Sequence, residues 1–187
     1  MGKTEYEVPT IEDIFFQSLD VARKILKNGD RYDVIVGISR GGLIPTRLLS
    51  DFLDIKDIRI IKSIYYTGTG ERLDKPRIDL STLGDIKDKA ILLVDDVADT
   101  GDTLALIREK LLNLGAKKVD IATLYVKPWR RIDVKYYSLE TDRWIVFPWE
   151  IKEVVMDLKR KGVEKELLEI VRDRRDFKEV LTILNDC

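Results

Sequence analysis

The amino-acid sequence predicts an α/β protein with a mostly parallel central sheet flanked by helices. Three observations carry that prediction. Short apolar runs stand at residues 33–38 (DVIVGI), 90–94 (AILLV) and 118–126 (KVDIATLYV), as expected for strands buried on both faces. Stretches with helical spacing lie between them, and strands alternating with helices build a parallel sheet. Unusual residues gather where these strands end, and open α/β sheets bind ligands beyond the carboxyl ends of their strands.

The elements follow in order. Thr10 and Asp13 mark a helix start. Ile11, Ile14, Phe15, Leu19, Ala22, Ile25 and Leu26 then recur at helical spacing until Asn28-Gly29-Asp30 ends the run. After the strand at 33–38 comes SRGG, and Pro45 sits near the start of a helix carrying Leu48, Leu49 and Phe52. IRIIKSIYY at 58–66 reads as a strand. TGTGERLDKPRIDLSTLGD, residues 67–85, is long, polar and poor in apolar residues, which predicts a functional or mobile loop. A strand at 90–94 leads to a helix over 103–114, closed by Gly115. The strand at 118–126 is broken by Lys127-Pro128. A short strand is predicted at 143–147, stopped by Pro148. From Glu150 onward the pattern is amphipathic helix, interrupted at Gly162 and around 173–176, with Ile151, Val154, Val155 and Leu158 forming an ordinary buried face. No repeat, low-complexity segment or linker divides the chain, so residues 1–187 read as one domain.

Composition narrows the function classes. The 187 residues are ample for one packed domain and short for two, and 44 % hydrophobic residues are enough for a core. A formal net charge of −1 argues against a protein that coats nucleic acid. The charged fraction of 36 %, with both signs mixed, suits ion-pair networks of a protein from a hot environment and an ordinary soluble surface equally. Cys187 is the only cysteine, so no disulfide framework forms within the chain, which fits a reducing cytosol. No apolar run is long enough for a membrane helix, MGKTEYEVPT lacks the apolar core of a signal peptide, and Tyr6 does not fit a myristoylation pattern. The expected setting is therefore the cytoplasm, with neither membrane nor nucleic acid as a partner. Histidine is absent altogether. That removes Ser-His-Asp and Cys-His catalysis and His-ligated zinc, and leaves acid–base chemistry to carboxylates, lysine or tyrosine.

The most informative string is ILLVDDVADTGDTL, residues 91–104. Thr100, Gly101, Asp102 and Thr103 lie between a strand and a helix. Gly101 lets the backbone curl its N–H groups inward, the following helix presents its positive end, and two hydroxyls add donors. Such a turn is a cup for a phosphate monoester. It is not a Walker loop, because no Gly-Lys-Ser/Thr follows, and GTGERL at 68–73 lacks the third glycine of a dinucleotide fingerprint. Asp95 and Asp96 would repel that phosphate, so they fit another part of the same ligand. A vicinal diol suits them, since each carboxylate accepts hydroxyl hydrogens. Phosphate at one end and a diol at the other describe a ribose 5-phosphate. A magnesium ion sharing the diol would offset the local charge. Two aspartates after a strand also serve as helix caps and turn formers, and the residues alone leave both readings open. Asp-Asp-x-x-Asp is also the metal motif of isoprenoid synthases, but there it lies on a helix in an all-α protein.

The string as a whole resembles the phosphoribosyl pyrophosphate (PRPP) signature of the type I phosphoribosyltransferases: an apolar strand, two acids, then Asp-Thr-Gly-x-Thr. The resemblance implies that Asp95 and Asp96 bind the ribose diol, with Asp96 also meeting Mg2+. Asp99, Thr100, Gly101, Asp102 and Thr103 would hold the 5-phosphate. VGISRGGLIP resembles the family's pyrophosphate loop, which implies roles for Ser39, Arg40, Gly41 and Gly42. The polar stretch from about Tyr66 to Leu80 stands where the family places a mobile flap, to which Tyr65, Tyr66 and Arg72 are candidates to contribute. YVKP followed by RWIVFPWE resembles the xanthine-guanine enzyme and its 6-oxopurine relatives. There the strand-end lysine, here Lys127, meets the purine O6. An aromatic, here Trp144, stacks on the ring, and the carbonyl of the next residue, here Ile145, meets the 2-position edge. Glu150 either points at the site or caps the next helix, and Trp149 reads as core packing.

The implied reaction is attack of purine N9 on C1 of PRPP, giving a nucleoside monophosphate and pyrophosphate. Asp99 is the candidate general base and acid for the purine N7 proton. On this reading residues 33–127 form the PRPP-binding core, 128–150 a small base-binding hood and 151–187 an added helical C-terminus, and the family's habit implies a homodimer or homotetramer. A non-catalytic sensor of PRPP or a nucleotide on the same fold is the alternative, since fold does not dictate function. Lys127-Pro128 and Trp144-Ile145 argue against orotate or adenine as the base, and no separate ATP site speaks for a PRPP synthetase. The order of guanine, hypoxanthine and xanthine rests on a few atoms at the 2-position, which the sequence does not rank.

Overall fold

In chain order the elements are β1 (Tyr6–Glu7), α1 (Ile11–Lys27), β2 (Val34–Ser39), α2 (Leu43–Phe52), β3 (Ile58–Tyr66), β4 (Arg72–Asp79), β5 (Ala90–Ala98), α3 (Asp102–Asn113), β6 (Lys118–Val126), β7 (Tyr136–Glu140), β8 (Trp144–Ile145), α4 (Ile151–Lys161), α5 (Lys165–Ile170) and α6 (Arg175–Asn185). They come from a computed structural model that describes residues 5–66, 72–162, 165–171 and 173–185. The chain divides into two compact units, Ile14–Asp142 and Met1–Asp13 with Arg143–Cys187.

The larger unit holds a six-stranded sheet in the order β4-β3-β2-β5-β6-β7. Only the β3–β4 pairing is antiparallel. Strand side chains alternate between faces, and the core divides accordingly. Val34, Val36, Leu93 and Ile121 share one cluster with Leu104, Ile107 and Leu111 of α3. Ile35, Leu92 and Val94 share the other with Val21, Ala22 and Ile25 of α1 and Leu49 of α2. The predicted mostly parallel α/β sheet is therefore what the chain forms.

Several elements depart from the sequence expectation. The loop expected over 67–85 contains β4, which lies at the sheet edge. β7 is a short edge strand with too few apolar residues to stand out, and it pairs in parallel with β6. The strand expected at 143–147 is only the two residues of β8.

An ion-pair network ties the amino-terminal ends of the strands together. Asp30, just before β2, meets Lys118 of β6 at 2.5 Å and Lys135 at 2.7 Å. Lys118 and Lys135 each also pair with Asp120 at 2.8 Å. The hydroxyl of Tyr136 donates to Asp30, and that of Tyr32 to Asp120. These donors, Lys118 first, hold the Asp30 carboxyl far below its ordinary range, while burial pushes the Tyr32 phenol well above its own.

In the smaller unit β1 pairs in parallel with β8, Tyr6 opposite Trp144 and Glu7 opposite Ile145. Its core is Val146, Ile151, Val155, Leu167, Val171 and Phe177, with Val154 and Leu158 packed against them, as the helical pattern predicts. The helical stretch from Glu150 is interrupted where the sequence predicts, at Gly162, which caps α4 with φ +67°, and again ahead of α6 at Arg175. At the start of α1, Thr10 and Asp13 form a reciprocal cap: the Asp13 N–H donates to Thr10 Oγ1 at 3.0 Å, and the Thr10 N–H donates to Asp13 Oδ2 at 2.8 Å. No helix among the described residues is long and apolar enough to cross a membrane.

Candidate active site

The sheet order sets β5 between β2 and β6, all three parallel. Their carboxyl ends therefore lie side by side, and each delivers one of the unusual segments: 39–42 after β2, 95–103 on and after β5, and Lys127 after β6. The strands before and after this point run outward in opposite directions, which makes it the switch point where open α/β sheets bind ligands.

β5 continues to Ala98, so Asp95 and Asp96 belong to the strand itself rather than to the turn after it. Asp95 opposes Thr123, and Ala98 opposes Val126. The Asp96 N–H donates to Asp95 Oδ1 at 3.0 Å and the Val97 N–H to Asp96 Oδ1 at 2.8 Å. Each carboxylate thus leans toward the carboxyl end of its strand. Asp96 is only 7 % exposed. A buried carboxylate needs partners, and its surroundings include the backbone of Gly41, where an added methyl would overlap the Asp96 side chain.

The turn after β5 is shaped by Gly101, which caps α3 with φ +84°, a conformation that favours glycine. A methyl at 101 would also run into the side chain of Ile132. Thr100 Oγ1 donates to Asp102 Oδ2 at 2.9 Å and accepts from the Asp102 N–H at 3.3 Å. Asp102 and Thr103 open the first turn of α3, so the helix end points its N–H groups and its positive dipole at the turn. Asp99 is exposed at the lip.

Residues 39–42 leave β2 through a cis peptide between Ser39 and Arg40. Arg40 is exposed, Gly41 half-buried and Gly42 buried at the start of α2. The Gly42 N–H donates to the Ile38 carbonyl at 2.9 Å, and that of Leu43 to Arg40 at 3.1 Å.

Lys127 is 8 % exposed, and its backbone N–H donates to Ala98 at 2.9 Å, which joins the ends of β5 and β6. The loop it opens returns to the turn. The Arg131 N–H donates to the Thr100 carbonyl at 2.8 Å. Trp129 Nε1 donates to Asp99 Oδ1 at 2.7 Å, and Lys127 Nζ stands 5.5 Å from the centroid of the same indole. Sequence reasoning missed Trp129. The signal was a large aromatic directly after a strand-ending Lys-Pro, in a loop where function concentrates.

The remaining assigned residues belong to the smaller unit. Trp144 is 58 % exposed on β8, and Ile145 beside it is buried. Glu150 occupies the cap position of α4 without a side-chain capping bond. Trp149 stacks on Phe147 with centroids 4.9 Å apart and planes 9° apart, consistent with the packing role expected of it. Among the described residues no three acidic, cysteine or histidine side chains converge as a metal cage. The Asp95–Asp96 pair suits instead a magnesium ion that takes one or two carboxylates and completes its shell with substrate oxygens and water. Residues 67–71 of the expected flap, and the side chains of Tyr65, Tyr66 and Arg72, lie outside the described residues.

Comparison with known proteins adds to this geometry. A family model for the phosphoribosyl transferase domain matches residues 8–155. A xanthine-guanine phosphoribosyltransferase of Idiomarina loihiensis is 31 % identical over 146 residues, 75 % of this chain and 84 % of that protein. A purine phosphoribosyltransferase from Pyrococcus horikoshii superposes with a TM-score of 0.68 at 39 % identity, covering 78 % of this chain and 94 % of that one. The xanthine-guanine-hypoxanthine phosphoribosyltransferase of Helicobacter pylori has a TM-score of 0.68 at 25 % identity, covering 83 % and 99 % respectively.

Proposed function

The chain belongs to the phosphoribosyl transferase family, as a purine phosphoribosyltransferase, and from that premise we propose that it moves the 5-phosphoribosyl group of PRPP to N9 of a 6-oxopurine. The observation that carries this reading is the meeting of three segments on one rim of the sheet: a phosphate turn, a carboxylate pair and a glycine loop with Arg40. The turn at 99–103 takes the 5-phosphate through backbone N–H groups, the Thr100 and Thr103 hydroxyls and the start of α3. Asp95 and Asp96 take the ribose diol as hydrogen-bond acceptors. Ser39, Arg40, Gly41 and Gly42 take the pyrophosphate, with Arg40 supplying charge and the glycines a close backbone approach.

Asp96 would hold Mg2+, which would neutralise part of the charge on the substrate oxygens. As N9 bonds to C1 and the bond to pyrophosphate breaks, positive charge builds on the ribose ring. Fixed carboxylates close to that ring stabilise it more in the transition state than in the ground state. Asp99 handles the N7 proton, a task for which the chain offers no histidine. Lys127 donates to the purine O6, Trp144 offers an exposed indole face for stacking, Ile145 supplies its carbonyl, and Glu150 stands at the start of α4.

The test mixes the protein with PRPP, Mg2+ and, in turn, guanine, hypoxanthine, xanthine and adenine, and follows pyrophosphate release. Turnover with one or more 6-oxopurines, cut about a hundredfold or more in Asp99→Asn, is the expected result and ranks the bases. No turnover with any base, with PRPP or nucleotide binding retained, would leave a sensor on the same fold.

A further inference from the structure

Trp129 is half-exposed on the loop after β6, and apolar burial does not account for its place there. It uses two different parts of its ring. The edge donates to Asp99 Oδ1 at 2.7 Å, and the ring stands 5.5 Å from Lys127 Nζ. The loop beneath it is fastened to the phosphate turn by the Arg131–Thr100 backbone bond, and Ile132 fills the space beside Gly101. The indole is therefore mounted on the same rigid piece as the carboxylate it holds.

We propose that Trp129 is a positioning residue for Asp99, pinning one carboxylate oxygen so that proton transfer is confined to the other. An indole N–H only donates. Oδ1 must stay an acceptor while that bond lasts, and a proton arriving from the purine goes to Oδ2. Without the bond an exposed carboxylate rotates about its last torsion, and both oxygens sample many directions. The chemistry needs one oxygen in one place. The same ring gives the Lys127 ammonium a cation–π partner, so one side chain links the two groups assigned to N7 and O6, neighbouring atoms on one edge of the purine. This inference rests on the reading of Asp99 as the acid–base group.

The experiment measures kcat and KM for PRPP and for the best 6-oxopurine in the wild type, Trp129→Phe, Asp99→Asn and the double variant. Phenylalanine keeps an aromatic face and loses the N–H. Trp129→Phe is expected to lower kcat roughly tenfold or more, the size of a lost hydrogen bond to a charged group, with KM for PRPP within about twofold. In the Asp99→Asn background the same change is expected to have no further effect, because the two residues act as one unit. An unchanged kcat in Trp129→Phe, a change confined to KM, or equal losses in both backgrounds overturns the assignment. If Asp99→Asn turns over too slowly to follow, the split between kcat and KM in Trp129→Phe alone decides. Full activity in Asp99→Asn overturns instead the acid–base reading beneath it, so the two failures are distinguishable.

Discussion

Gly41 and Asp96 show how tightly single residues are matched at this rim. A buried carboxylate occupies the space a side chain at 41 would need. Gly41→Ala must therefore displace either Asp96 or the loop. We expect a folded protein whose KM for PRPP rises roughly tenfold or more, read from steady-state rates with PRPP varied. At this scale the sequence was most legible where chemistry forces residue types together. Asp95, Asp96 and the Thr100-Gly101-Asp102-Thr103 turn stand out because acids and a glycine directly after ILLV mark either a binding rim or a turn and cap, two readings the residues alone leave open. Trp129 was not legible in the same way. Its role depends on a loop folding back across the end of a neighbouring strand, which no spacing along the chain encodes.

At the scale of elements, strands buried on both faces declared themselves, and edge strands did not. β6 runs over the residues its apolar run predicts and is buried along nearly its whole length, whereas β4 and β7, at the two edges of the sheet, carry mixed or short patterns. The boundary of β5 was read too early for a related reason: Asp95 and Asp96 look like the end of a strand, yet the ladder to β6 continues past them to Ala98. Electrostatics also acts at this scale. The Asp30 network joins the start of β2 to β6 and β7. A carboxylate whose folded value lies below its unfolded one contributes stability above the ordinary carboxylate range and loses it as pH falls through and below about 4. Asp30→Asn is therefore expected to lower the thermal midpoint by several degrees at pH 7. The gap from wild type should narrow as the pH is brought down toward 3, as followed by circular dichroism melts.

At the scale of the whole chain, each unit has a core of its own. Phe177 is 1 % exposed among Val146, Ile151 and Leu167. Truncation there leaves a cavity as well as lost burial, so Phe177→Ala should cost about 3–5 kcal/mol, measured as a lower urea midpoint. The helical pattern of the last stretch was plain in the sequence. Its partnership with residues near position 6 was not, because a two-residue strand carries no periodicity to read.

That pairing of β1 with β8 has a consequence for the order in which the protein is made. Tyr6 is synthesised long before its partner Trp144, and at about 5–20 residues per second the interval is roughly 7–28 s. The strands of the larger unit, whose partners all fall within Ile14–Asp142, are complete in sequence just before Trp144 is added. The strands that carry the rim therefore need nothing beyond residue 142 in order to pair, whereas Tyr6 has no strand partner until Trp144 is made.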